Sequence, residues 1–254
     1  MNRDFGLISI IMAAYNAEHT IEEAINSVIN QTYTNWELIV VNDCSSDNTV
    51  NLVENFCKND IRIKLINNVK NCGVSKTRHN GLEKTNGDWI AILDSDDFWS
   101  PDKLEKQVNL QLTSCAELLY TGSSFMDENS RKMSWILSVP VKVNYQQLLK
   151  QNIISNSSVL VKKNLYENFE AMGDNMHEDF ACWLKILRTG ICAYGVNEPL
   201  LTYRVSINSK SGNKFKSFVM NWKTYRYIGL NILESVYYMF FYTINGIKKY
   251  SNLK

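Results

Sequence analysis

This sequence is short of net charge. In 254 residues, 27 Lys and Arg stand against 26 Asp and Glu, a balance of +1. A dedicated nucleic-acid binder needs a basic surface for phosphate contacts, so that class is excluded. The six cysteines, at 44, 57, 72, 115, 182 and 192, form no Cys-x-x-Cys pair and no metal-ligand spacing with the three histidines. Reduced thiols are the expectation. Gly-x-Gly-x-x-Gly is absent after the first apolar segment, and Gly-x-x-x-x-Gly-Lys-Ser/Thr is absent throughout. Neither a dinucleotide fingerprint nor a P-loop is supported. Only a short apolar segment follows Met1-Asn2-Arg3-Asp4, with no signal-peptide core and cleavage site, so a cytoplasmic location is expected. Apolar content of 45% and charged content of 21% are those of a globular protein, with length enough for one large domain or one domain and an extension.

What is present is an alternation of strand and helix patterns. Leu7 to Met12 is an apolar run ending in Ala13-Ala14-Tyr15-Asn16. Ile21, Ala24, Ile25, Val28 and Ile29 recur at helical spacing, behind a Thr20/Glu23 pair that reads as a capping box. Trp36 to Val41 is a second strand, closing on Asn42-Asp43-Cys44-Ser45-Ser46-Asp47, and a helix follows with Val50, Val53, Phe56 and Cys57 inward. Ile61, Ile63 and Leu65 alternate with Arg62 and Lys64, which predicts a half-exposed strand near an edge. A short helix through Ser75 to Glu83 carries Lys76 and Arg78. A fourth strand, Trp89 to Leu93, then runs into Asp94-Ser95-Asp96-Asp97, and Ser100-Pro101-Asp102 starts another helix. Four such units with short connections predict an α/β fold, a mainly parallel central sheet flanked by helices.

Two unit charges ~4 Å apart repel by about 1 kcal/mol in water and by more where solvent is partly excluded, so the 94–97 acids need a reason to be together. Two readings stay open on this stretch alone. One is a site for Mg²⁺ or Mn²⁺, which take one or two carboxylates plus substrate phosphates; the other is a solvated acidic turn. Open sheets bind ligands outside the carboxyl ends of their strands. Tyr15-Asn16, Asp43 and the 94–97 cluster all lie at such ends. An aromatic ring for a base, carboxylates for base and ribose, and a metal for phosphates describe a nucleoside-diphosphate pocket. Singly, Tyr15 also reads as an amphipathic cover, Asp43 as a turn residue and Arg78 as a solvated charge.

The segments Ile8 to Asn16, Asn42 to Asp47, Asn71 to Gly81 and Leu93 to Asp97 resemble, in order and spacing, the family 2 glycosyltransferases of GT-A (nucleotide-diphospho-sugar transferase) fold, of the kind that builds bacterial surface polysaccharides such as teichuronic acid, capsule or O-antigen. The resemblance is dense over residues 7–103 and thinner to about 211. It implies an inverting, metal-dependent transfer of a sugar from a nucleotide-sugar donor, most often a UDP-sugar, to a hydroxyl of a saccharide or lipid-linked saccharide. Carried over by position, Tyr15, Asn16 and Asp43 hold the base side of the donor, with Arg78 beside the base. Asp94 and Ser95 meet the ribose or donor sugar, Asp96 ligates Mg²⁺ or Mn²⁺, and Asp97 is its neighbour in the metal set. Two departures stand out. Ala13-Ala14 replaces the usual Pro-Thr or similar pair, losing loop stiffness, and Cys44 replaces a usual Gly, so a left-handed backbone is not expected there.

The second half reads less clearly. Leu104, Val108 and Leu112 give a helical stripe, Ala116 to Thr121 a strand, Tyr145 to Lys150 a helix and Ser155 to Val161 a strand. Phe180, Trp183, Leu184 and Leu187 recur at helical spacing and Gly190 closes the helix, which puts Glu178 and Asp179 at its amino-terminal edge. Acids are favoured there by the helix dipole alone. The resemblance assigns the pair to catalysis, with Asp179 as the base that takes the acceptor's hydroxyl proton, a role worth typically 10²- to 10⁴-fold. His177 is expected to be an exposed loop residue. Tyr203-Arg204, with Ser209 and Ser211, resembles a family segment near the diphosphate.

The expected organisation is a GT-A domain over 1–211, with a nucleotide-sugar half (1–103) and an acceptor half (104–211), and a basic, aromatic helical tail over 212–254. Residues 210–254 carry a net charge of +7 and leave the rest at −6. Across 227–247 Glu234 is the only charge, and with Asn231 and Asn245 it makes crossing a bilayer costly. A helix lying at an anionic membrane surface and a terminal helix packed on the domain both stay open. There is no set of spanning segments and no Gln-x-x-Arg-Trp, which speaks against a processive membrane synthase. A rival enzyme, a sugar-phosphate nucleotidyltransferase, would want a glycine-rich basic loop after the first strand, which Ala13-Ala14-Tyr15-Asn16 is not. The non-enzyme rival is a nucleotide-sugar-binding component of a polysaccharide assembly complex, separated from an enzyme by donor turnover.

Overall fold

The computed structural model describes residues 5–167, 175–205 and 214–251. Ser209 and Ser211 lie outside them. Strands β1 (Ile8–Ala14), β2 (Trp36–Asn42), β3 (Ile63–Asn67) and β4 (Trp89–Ile92) pair in parallel in the order β3-β2-β1-β4. Every residue of β2 is buried, as a strand covered on both faces requires, whereas edge strand β3 is only partly so. Helices α1 (Ile21–Ile29), α2 (Thr49–Asn59) and α3 (Val74–Leu82) make the crossovers. Gly81 lets α3 lie close to the sheet: a Cβ there would stand 2.9 Å from an Ile11 methyl and 3.0 Å from one of Val41.

Beyond β4 the directions mix. β9 (Leu160–Lys162) runs antiparallel between β4 and β6 (Leu118–Asp127), β10 (Ala193–Val205) lies parallel to β6, and β5 (Phe98–Trp99) closes the order antiparallel to β10. β7 (Lys132–Leu137) pairs with β6, and β8 (Lys142–Val143) with β10. The predicted α/β fold with a central sheet flanked by helices is present; the sheet is parallel through its first four strands and mixed beyond them, rather than mainly parallel. The strand expected over 116–121 continues to Asp127, and the one expected over 155–161 is a short 3-10 turn, Asn156–Ser158, before β9.

Alternation along the central strands sends their side chains into two cores. Ile8, Ile10 and Met12 join α1 and α4 (Lys103–Ser114) on one face. Ile11, Ile90 and Ile92 join α5 (Tyr145–Lys150), α6 (Lys163–Tyr166) and α7 (Glu178–Arg188) on the other. Helices α8 (Lys214–Tyr227) and α9 (Ile232–Ser251) complete this second core with Tyr225, Ile228 and Met239. The Tyr225 hydroxyl donates to the Leu149 carbonyl at 2.5 Å. One face of the tail therefore packs on the domain. The other face of α9 leaves Ile232, Leu233, Val236, Tyr237 and Phe240 exposed. No helix among the described residues is long and apolar enough to cross a membrane.

The capping box at α1 is not formed. Thr20 makes no side-chain cap, its N–H donates to the Ala17 carbonyl at 3.0 Å, and the Glu23 carboxylate meets Arg204 Nη2 at 2.6 Å instead.

Candidate active site

The loops after β1 and β2 clasp each other. The Asn16 backbone N–H donates to Ser45 Oγ at 3.0 Å, and Asn16 Oδ1 accepts from the Ser46 N–H at 2.8 Å, with Asn16 itself at φ 49°. Tyr15 stands beside this clasp, 55% exposed, a ring open to a ligand. Cys44 corrects an expectation, since its φ of 62° is left-handed. The turn is fixed from several sides: Asp43 N–H to the Ala14 carbonyl at 2.8 Å, Ser45 N–H to Asn42 Oδ1 at 3.0 Å, and the Cys44 thiol to the Asn68 carbonyl at 3.2 Å. These bonds offset a backbone cost of order 1–3 kcal/mol.

Asp43 is buried. Its carboxylate accepts from Asn68 Nδ2 at 2.8 Å and from the backbone N–H groups of Cys72 and Gly73, each at 2.9 Å. Burial works to raise its pKa, but these donors outweigh burial and hold it below the usual carboxylate range. Asp43 thus fixes the 68–73 loop at the start of α3.

The three acids after β4 have three environments. Asp94 pairs with Arg78 Nη2. Asp96 is exposed at the rim, yet crowding of its carboxyl group by the surrounding protein and the charge of Asp94 push its pKa up to about 6. Asp97 is buried, accepting from Ser157 Oγ at 2.6 Å and from the Arg204 N–H at 2.9 Å. Burial first, then Asp96 and Asp94, push its pKa well up. Both of its oxygens are engaged inward. Ser95 lies half-buried between Asp94 and Asp96. Arg204 is also buried, and its guanidinium donates to the Asp96 carbonyl, Ser130 Oγ and Glu23. It holds the acidic loop from behind.

Arg78 is the link across the site. It is buried rather than solvated, and besides Asp94 it meets Glu178 Oε1 at 3.3 Å. Burial disfavours its charge, but Asp94 and Glu178 outweigh burial and keep it protonated. Glu178 and Asp179 form the first turn of α7, as their spacing predicted. Asp179 is half-buried, with its pKa raised by burial and then by the charge of Glu178. His177 is not an exposed loop residue: its ring Nε2 lies 3.1 Å from Ser217 Oγ, and its N–H donates to Thr224 Oγ1 at 3.3 Å, both on α8.

No three His, Cys, Asp or Glu side chains among the described residues converge into an all-protein metal cage. The arrangement still suits a hard divalent cation completed by substrate oxygens. Asp96 offers a rim carboxylate whose charge its neighbours disfavour, and a cation would relieve that. Sequence reasoning missed Ser157, Asn68, Glu23 and Ser130, whose contacts with the site residues span 25 to 181 positions and leave no local pattern.

The family model for glycosyl transferase family 2 matches residues 9–166. A UDP-Glc:α-D-GlcNAc-diphosphoundecaprenol β-1,3-glucosyltransferase from Escherichia coli, WfgD, is 38% identical over 246 residues, covering 96% of this chain and 95% of that one. TuaG of Bacillus subtilis (strain 168), which carries the name of a teichuronic acid biosynthesis glycosyltransferase, is 34% identical over 244 residues, covering 96% of this chain and 97% of that one. Among solved structures, S. aureus TarS 1–349 in complex with UDP-GlcNAc superposes with a TM-score of 0.72 at 19% identity, covering 91% of this chain and 70% of that one. That likeness establishes the shared GT-A fold.

Proposed function

This chain belongs to glycosyl transferase family 2, and we propose that it moves a hexose from a UDP-sugar to a hydroxyl of a lipid-linked saccharide in cell-surface polysaccharide synthesis, inverting the anomeric carbon. The observation that carries this reading is the Asp94–Arg78–Glu178 bridge, which ties the acidic loop after β4 to the acidic pair on α7. Tyr15 stacks on the base, and Asn16 and Asp43 shape the loops around it. Asp94 and Ser95 face the ribose and donor sugar. Asp179 takes the proton of the acceptor hydroxyl as that oxygen attacks the anomeric carbon, and its raised proton affinity suits a general base. Arg78 pairs with Glu178 beside it. Mg²⁺ or Mn²⁺, when bound through Asp96, supplies charge stabilisation to the leaving diphosphate. Asp97 and Arg204 act on the same loop by holding it in shape.

The lipid-linked acceptor is supported by WfgD, whose name specifies a diphosphoundecaprenol substrate. The catalytic unit is read as 1–211 and the membrane-facing tail as 212–254. The exposed stripe on α9, within a segment of net charge +7, gives the tail apolar and basic groups for the inner face of the cytoplasmic membrane.

The test is transfer from UDP-glucose to GlcNAc-diphosphoundecaprenol, alongside thermal unfolding with UDP, GDP, CMP or dTDP, each with and without Mn²⁺ or Mg²⁺. A ligand at 100 times its dissociation constant adds about 2.7 kcal/mol to stability. A metal-dependent shift with UDP is expected. Asp179→Asn should abolish transfer and keep that shift; a fully active variant overturns the base assignment, and no shift with any nucleotide overturns the pocket.

A further inference from the structure

Beside the acidic pair lies a cavity of about 20 Å³, with Arg78, His79, Asn156, Glu178, Asp179 and Trp183 in its wall. Four of these present buried nitrogens with no hydrogen-bond partner: Arg78 Nε, His79 Nδ1, Asn156 Nδ2 and Trp183 Nε1. A single buried polar group left unpaired costs about 1–3 kcal/mol. Four around one cavity point to an occupant. The volume suits one water, which needs roughly 10–15 Å³ on the same measure. Arg78 Nε, Asn156 Nδ2 and Trp183 Nε1 only donate, so the occupant must accept. Glu178 and Asp179 on the same wall repel an anion and accept hydrogen bonds, so it must donate as well. Water does both.

His79 joins this cavity to the outside. The residue lines the cavity, its Nδ1 is buried without a partner, and its Nε2 lies 3.6 Å from Oε1 of Glu83, the residue that caps α3, whose side chain is 58% exposed. We propose that a water held in this cavity and the His79 ring form a proton-exit path from Asp179 to solvent. This rests on the assignment of Asp179 as the base. As the acceptor oxygen bonds to the anomeric carbon and the bond to the diphosphate breaks, the hydroxyl proton moves to an Asp179 oxygen. Asp179 passes that proton to the water, which gives one of its own to His79 Nδ1. His79 releases the Nε2 proton towards Glu83 and bulk solvent; a turn of the ring about its Cβ–Cγ bond then lets Nδ1–H exchange with solvent, which restores the first tautomer without returning the proton to Asp179. The balance closes with one proton delivered to solvent per sugar transferred. Burial and the charge of Glu178 raise the pKa of the half-buried Asp179, so a route for releasing its proton matters for turnover. His79 is a positioning and relay residue. Around it stand Arg78 on its own helix and Glu83 at that helix's cap, Tyr166 on α6, and Glu178, Asp179 and Cys182 on α7.

The test uses His79→Phe and His79→Gln in the full chain. Expected for both is a fall in kcat on the order of tenfold, smaller than the loss of a direct general base. The donor KM should stay within about twofold, with a changed pH profile and solvent isotope effect, and added imidazole should restore part of kcat. Unchanged kcat, pH profile and isotope effect in both variants overturn the path. A second readout needs no turnover. The chain has three histidines, so the ¹⁵N-labelled His79 ring can be followed by NMR, and Asp179→Asn and Trp183→Phe should each move its titration midpoint. A midpoint that neither moves overturns the path even in an inactive protein. A moved midpoint in a wild type that transfers no sugar would instead overturn the proposed activity.

Discussion

Replacing Arg78 by Met tests whether the site is held together by charge. Met fills much of the volume of the arginine stem, so the change removes mainly the guanidinium. That group serves two carboxylates at once, with side-chain exposures of 9% for Arg78, 27% for Asp94 and 11% for Glu178. Removing one partner of a buried pair costs about 3–5 kcal/mol, because the other charge stays buried and alone. Asp94 reaches solvent and regains part of its hydration. Glu178 does not, so it governs the loss, and the lower end, about 3 kcal/mol, is expected. At roughly 2–4 °C per kcal/mol for a domain of this size, the unfolding midpoint should fall by about 6–12 °C. Urea unfolding followed by tryptophan fluorescence at pH 7.5 measures the difference directly. Adding Glu178→Gln should return a large part of the loss, because that buried charge is then gone. A single variant within 1 kcal/mol of wild type would refute the reasoning. So would a double variant no more stable than the single, since the loss would then lie in packing.

The two acids at 96 and 97 should separate. Asp96→Ala is expected to abolish the metal-dependent part of the UDP shift, whereas Asp97→Asn should keep most of it, because an amide can still accept from the Arg204 N–H and donate to Ser157 Oγ; equal loss in both would give Asp97 a direct part in the metal site. Lys103 is fully buried, its ammonium resting on Gln107 Oε1 at 2.9 Å and over the Trp99 ring at 3.9 Å, and burial pushes its pKa well down. Between that lowered value and the ordinary value of about 10.4, the unfolded chain holds a proton that the folded one does not, so wild-type stability rises with pH by up to about 1.4 kcal/mol per unit; Lys103→Met should be more stable than wild type at pH 7.5 by denaturant unfolding, with the advantage shrinking towards pH 10, and equal stability across that range refutes it. Leu233→Ser combined with Phe240→Ser should leave the circular dichroism unchanged and reduce co-sedimentation with phosphatidylglycerol vesicles several-fold; undiminished sedimentation would remove α9 from the membrane contact.

The first hundred residues were legible because their signals are local. An apolar run that ends in polar residues marks a strand's carboxyl end from a few neighbouring positions, and in a parallel sheet those ends gather on one side. The acidic pair at 178–179 was also legible in place, since the 3.6-residue period fixes where α7 begins. What joins these pieces was not. Arg78 meets Glu178 across 100 positions and Arg204 meets Glu23 across 181, and no period or spacing carries such a pairing. The same gap explains the errors. Glu23 has the spacing of a capping box, but a buried guanidinium competes for its carboxylate. Cys44 lacks the freedom of glycine, but bonds from three segments set its backbone. His177 reads as exposed because the helix that covers it is 40 residues further on.

Three neighbouring aspartates acquire three different tasks through two arginines that reach the same loop from opposite ends of the chain. Arg78 comes from α3 and neutralises Asp94. Arg204 comes from β10 and holds the backbone on both sides of position 96, through the Asp96 carbonyl and, by its own N–H, the Asp97 carboxylate. With Asp94 paired and Asp97 turned inward, Asp96 keeps a carboxylate at the rim that no other side chain among the described residues takes. Like charges so close would ordinarily spread apart or bind protons. Here Ser157 and Arg204 hold the loop, so the unfavourable charge falls on Asp96, where a divalent cation and the donor's phosphates would relieve it. Loosening Arg204 should therefore weaken metal-dependent donor binding although the Arg204 side chain itself is directed away from the rim, towards Glu23 and Ser130.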